Sequence, residues 1–79
     1  MSYMEELVTR LKRLGLSNYE IKAYLTLLRC GTLTSTELVK RSGIPQPRIY
    51  DIMRRLEEKG LVLVAEGYPK RYRAEDPRI

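Results

Sequence analysis

The sequence predicts a mainly α domain closed by a small β-hairpin: a winged helix-turn-helix with an extra N-terminal helix, a three-helix core and a two-stranded wing. Three observations carry this prediction. Apolar residues recur at helical spacing in four segments set apart by glycine or proline. Residues 34–59 read as a short capped helix, a tight Gly-Ile-Pro turn and a second helix with arginines opposite its apolar stripe. After them come an aliphatic, β-branched run, a turn and an alternating basic segment.

Met4, Leu7, Val8, Leu11 and Leu14 repeat with helical period, so residues 3–14 form an amphipathic helix that stops before Gly15. Ser17 with Glu20 has the spacing of a capping box and opens a helix over 17–30 that Gly31 ends. Ala23, Tyr24, Leu27 and Leu28 contribute to an apolar surface over more than half its girth, which places it at the centre of the fold. Thr34 with Glu37 is a second such box. The hydroxyl accepts from an orphan backbone N–H and the carboxylate takes the cap's own N–H, starting a helix over 35–42 with Leu38 and Val39 inward.

Gly43 can take the left-handed conformation that closes this helix, and Ile44-Pro45 leads into the fourth, over 46–59. Pro47 sits in its first turn, where a missing N–H costs little. Ile49, Ile52, Met53 and Leu56 fall within about 100° of one another on that helix, which Gly60 terminates. Strands over 61–65 and 70–74 flank the turn Glu66-Gly67-Tyr68-Pro69, and Thr32-Leu33 could add a very short third strand. Residues 75–79 are expected to be loose. With neither repeats nor internal linkers, residues 1–79 read as one domain.

A chain of 79 residues has little core to spare for a cofactor pocket. Histidine is absent and Cys30 is the only cysteine, which removes the usual Cys/His zinc sites, a Cys–His pair and a Ser-His-acid triad. No enzyme, cofactor or metal is therefore expected. Cys30 reads as a small buried apolar residue in a reducing compartment. No apolar run is long enough to span a membrane and residues 1–16 are too charged for a signal peptide, so a cytoplasmic protein is expected. Lys and Arg number 15 against 10 Asp and Glu, a net charge of +5, which favours a polyanionic partner. From Lys40 to Arg73 nine basic residues face four acidic ones, so this stretch alone carries the whole excess.

The pattern resembles the N-terminal DNA-binding domain of the TrmB family, sugar-responsive transcriptional regulators of archaea. The matching residues are Leu14-Gly15-Leu16-Ser17 with Tyr19-Glu20, Ala23-Tyr24-Leu25, Ser42-Gly43-Ile44-Pro45 and Ile49-Tyr50-Asp51. They continue with Leu56-Glu57-Glu58-Lys59-Gly60-Leu61-Val62, Glu66-Gly67 and Arg71-Tyr72-Arg73-Ala74. The resemblance covers essentially the whole chain and implies double-stranded DNA as partner. Members of the family continue into a long helix and an effector-binding domain. These residues stop at Ile79, and no small-molecule effector is expected within them.

The candidate contact residues follow from faces and caps. Opposite the apolar stripe of the fourth helix lie Pro47, Tyr50, Asp51, Arg54 and Glu58, with Gln46 and Arg48 free in its first turn. An arginine fork matches the O6 and N7 of guanine, a glutamine amide matches N6 and N7 of adenine, and a tyrosine hydroxyl can hold a phosphate. Gln46, Pro47, Arg48, Tyr50 and Arg54 are therefore assigned to DNA, and Arg55, Glu57 and Glu58 to a solvated face with local ion pairs. Lys70, Arg71 and Arg73 suit the phosphate backbone or the minor groove, or equally blunt an exposed strand edge. Strand alternation puts Arg71 and Arg73 on one face and Tyr72 toward the core. Thr34, Ser35, Thr36 and Lys40 gather at or near the start of the third helix, as a phosphate site or as a cap that needs no ligand. Tyr3, Tyr19 and Tyr24 are assigned to core or interface packing. A homodimer is expected, with the first helix as its candidate interface. The rival readings are a winged-helix protein-interaction module and a non-specific architectural nucleic-acid binder.

Overall fold

Three helices begin at a side chain that replaces a missing backbone partner. Ser2, Ser17 and Thr34 each accept from the amide three residues on. At Ser17 and Thr34 the bond is returned, Glu20 and Glu37 accepting from the cap's own N–H at 2.9 Å. The computed structural model describes residues 2–75. Its elements are α1 (Tyr3–Arg13), α2 (Asn18–Cys30), β1 (Leu33–Thr34), α3 (Ser35–Ser42), α4 (Gln46–Glu58), β2 (Val62–Ala65) and β3 (Arg71–Ala74). The architecture is a winged helix-turn-helix, mostly helical with a small antiparallel sheet.

The sheet has three strands in the order β1-β3-β2, so the basic strand β3 is central. Leu33 pairs with Tyr72 and Thr34 with Arg71 on one side, and Val64 with Tyr72 and Ala65 with Arg71 on the other. The third strand therefore sits one residue later than Thr32-Leu33, because Leu33 and Tyr72 bury together on the inner face. Thr34 serves two elements. Its extended backbone (φ −79°, ψ 168°) completes β1 and also suits the cap of α3.

Tyr24 and Leu27 of α2 lie at the centre, against Leu38 of α3, Ile49, Ile52, Met53 and Leu56 of α4, and Val62 and Tyr72 of the sheet. An ion pair between a buried carboxylate and a partly exposed lysine ties this arrangement together. Glu20 at the start of α2 accepts from Lys59 Nζ at 2.6 Å, just where α4 gives way to β2. Burial works to raise the Glu20 carboxyl, but the bonds from Lys59 and Ser17 outweigh it and hold its pKa below the usual value. Lys59 is the cap of α4, with its N–H on Arg55 O, rather than its last residue. Leu61 is buried and precedes β2, its amide turned to Leu56 O.

Several apolar residues are more open than helical spacing suggests. Met4, Leu14 and Leu28 are exposed, and Val39 and Cys30 are half-buried. For Met4 and Leu14 the reason is that α1 packs from one side only, through Leu7 and Leu11, so a narrow stripe suffices. Glu75, expected to be loose, is held: its N–H donates to Leu61 O and its carbonyl accepts from the buried Tyr24 hydroxyl. The rest of that expected loose tail, 76–79, lies outside the described residues.

Candidate nucleic-acid interface

The turn between α3 and α4 sets where α4 points. Gly43 is left-handed (φ 76°, ψ 8°) and returns its N–H to Val39 O. Ser42 Oγ then donates to Leu38 O and accepts from Ile44 N at 3.1 Å, so the buried turn leaves no hydroxyl unpaired. Pro45 starts α4 without a side-chain cap, and Pro47 occupies its first turn. The first turn of α4 carries no acid, which leaves Gln46, Pro47 and Arg48 exposed at a helix N-terminus that favours an anion.

Two grooves meet at one hydrogen bond. Ser35 Oγ of α3 and Tyr50 OH of α4 are 3.1 Å apart, and both residues line both grooves. The first, about 170 Å³, lies between α3 and the N-terminal half of α4 and takes in Thr36, Lys40 and Gln46. The second, about 330 Å³, lies between α4 and the β2–β3 turn and takes in Tyr68, Lys70 and Tyr72. One continuous surface thus brings together Ser35, Lys40, Gln46, Tyr50 and Lys70. Pro47 is exposed in the first turn of α4, and Thr34 is half-buried and committed to its cap.

The remaining candidates stand apart from the two grooves. Arg48 lies over the Tyr19 ring, 5.4 Å from its centroid, a cation–π contact that holds the guanidinium beside the start of α2. Arg54 is bound to Asp51 at 2.6 Å and to Glu58 at 3.2 Å on its own helix. Asp51 also takes Arg55 at 3.2 Å. The bond from Arg54, aided by the charges of Arg55 and Arg48, holds the Asp51 carboxyl below the ordinary aspartate range. Arg71 and Arg73 project from the outer face of β3, where they border a shallow depression with Thr32 and Leu63. The positive charges of Arg41 and Arg71 reach Glu37, though the Thr34 bonds do most to lower its carboxyl.

Sequence reasoning missed three partners. Asp51 as a hub of two arginines was readable from its i,i+3 and i,i+4 spacing. The Tyr19–Arg48 contact was not, because it joins residues from different helices. Tyr68, a lone aromatic in a turn, carried a signal that went unused. The tyrosines assigned to packing divide: Tyr24 is buried, Tyr19 is half-buried beneath Arg48 and Tyr3 is 75% exposed.

Comparison with known proteins bears on this surface. The family described as "Sugar-specific transcriptional regulator TrmB" matches residues 11–78. The chain belongs to the TrmB family. It is 44% identical over 75 residues to the HTH-type sugar sensing transcriptional regulator TrmBL1 of Pyrococcus furiosus, covering 95% of this chain and 22% of that protein. It is 42% identical over 62 residues to the DNA-binding HTH-type transcriptional repressor TrmBL2 of Thermococcus kodakarensis, covering 78% of this chain and 24% of that one. Among solved structures it is similar to TrmBL2, described as an archaeal chromatin protein with a novel mode of DNA binding. The TM-score is 0.81 at 38% identity, covering 92% of this chain and 29% of that one. The chain spans about a quarter of the length of these TrmB relatives. These relatives are regulators or chromatin proteins. No helix among the described residues is long and apolar enough to cross a membrane.

Proposed function

We propose that this chain is the sequence-specific double-stranded DNA-binding domain of a cytoplasmic transcriptional regulator, with α4 in the major groove and the β2–β3 wing on the flanking backbone or minor groove. The observation that carries this reading is the continuous surface around the Ser35–Tyr50 bond. It joins the N-terminal ends of two helices, hydroxyl and amide donors and Lys70. A duplex needs that combination: the helix end and its first-turn side chains meet base edges, while hydroxyls and cations hold phosphates. The domain catalyses no reaction and holds no cofactor or effector within these residues. It works as a homodimer, because one small module offers only about 600–1,000 Å² to DNA and pairing two half-sites multiplies affinity. The exposed Tyr3, Met4 and Leu14 on or beside α1, with Leu28 of α2, supply apolar surface for that contact.

The likeness to a chromatin protein favours a second reading, architectural binding without sequence preference. Selection of binding sites from random duplexes separates the two. A sharp motif supports the regulator, binding without a motif supports the architectural protein, and no binding supports a protein-interaction module.

A further inference from the structure

Tyr68 is the most exposed tyrosine of the domain. At 106% relative exposure its ring rests on nothing in the protein, whereas Tyr24 and Tyr72 are buried and Tyr50 is hydrogen-bonded to Ser35. It stands in the turn between β2 and β3, walls the groove that separates the wing from Tyr50, and is followed within five residues by Lys70, Arg71 and Arg73. An apolar ring with a hydroxyl tip gains most where one side is apolar and the other is wet. The minor groove of a duplex is such a place, with sugar walls and a floor of acceptors. A·T pairs show only A N3 and T O2 there, while a G·C pair adds the N2 amine on that floor.

We propose that Tyr68 is a minor-groove reading residue that selects A·T over G·C pairs beside the site occupied by α4. The ring packs between the sugars and its hydroxyl donates to the floor, and the guanine amine fills the space the ring needs. This rests on the reading that the domain binds duplex DNA with its wing at the minor groove.

The test uses one selected core site flanked by A·T, G·C or I·C pairs, inosine being guanine without the amine. Fluorescence anisotropy of the wild type should give binding to A·T and I·C flanks about two- to tenfold tighter than to G·C flanks, the worth of one net hydrogen bond. Tyr68→Ala should bind all three equally, with the wild-type salt slope and melting temperature, since the side chain is uncharged and fully exposed. Tight binding by the wild type without flank preference overturns this inference alone, as does a preference that survives in Tyr68→Ala. Failure of the wild type to bind any duplex overturns the DNA reading as well.

Discussion

Helix α4 and the wing carry similar cations and dispose of them differently. On α4, Arg54 and Arg55 are held by Asp51, and Arg48 lies over Tyr19. On the wing, Lys70 is 3.9 Å from Glu66 and Arg73 is 3.4 Å from Glu75, both open to solvent. No carboxylate among the described residues lies within ion-pair distance of Arg71. Exposed pairs of this kind are worth little and exchange readily for a phosphate. On the proposed reading the wing therefore offers the less committed charge, which would release counterions and give affinity to any duplex. The pairs of α4 are equally open to solvent but shorter, and Asp51 takes two arginines at once, so on the proposed reading α4 contributes orientation more than attraction. The proposed function thus separates general affinity, carried mainly by the wing cations, from reading of the core site, carried by α4.

The largest expected effect tests the scaffold that joins them. Leu56→Ala, at a fully buried position facing the core, should cost about 2–5 kcal/mol through the cavity it leaves, enough to unfold a marginal domain. Thermal melting followed by circular dichroism reads it. Unchanged melting would mean that α4 is held by other contacts.

The joint between α4 and the wing comes next. Glu20→Gln should lose about 1.5–3 kcal/mol, the worth of a hydrogen bond to a charged group. Because the folded Glu20 pKa is depressed, its contribution is complete above the ordinary value of 4.5 and disappears as pH falls through the folded pKa. Chemical denaturation at pH 7 and at pH 3 should therefore show the variant and wild type converging in acid. An equal gap at both pH values would contradict the linkage.

Replacing Gln46 or Arg48 with alanine should leave melting nearly unchanged, apart from the modest loss of the Tyr19 contact for Arg48. The preference for the selected site should fall by roughly five- to a hundredfold if each makes a bidentate base contact. Early melting with retained preference would place the reading surface elsewhere. The smallest effect is the sharpest on the comparison itself. Asp51→Asn frees Arg55 and leaves Arg54 to Glu58 alone, so the salt slope on random duplex should steepen by about one phosphate contact while discrimination falls. An unchanged slope would show that the arginines of α4 were never withheld by Asp51.

Much of this molecule was legible because its signals are local. The capping boxes at Ser17 and Thr34, the left-handed Gly43 and the inward Tyr72 each depend on residues within a few positions. What escaped depends on distant partners. Glu20 meets Lys59 across 39 positions, Ser35 meets Tyr50 across 15, and Glu75 is held by Tyr24 and Leu61. The exposure of Met4 and Leu14 likewise follows from the one-sided packing of α1, which no periodicity encodes. Faces and caps bring out the candidate contacts, and spacing brings out the hold of Asp51 on Arg54 and Arg55, but no spacing reveals that Tyr19 holds Arg48.

The division of labour is tested most directly by the salt dependence of duplex binding in the wild type and in Lys70→Ala/Arg71→Ala. With about three to five phosphates neutralised per protomer, log K against log salt should fall with a slope near −3 to −4.5 for the wild type. The double variant should lose about 1.8 units of slope, weaken all sequences alike and keep its preference for the selected site. A wild-type slope near zero, or a slope that survives loss of both wing cations, would contradict the account.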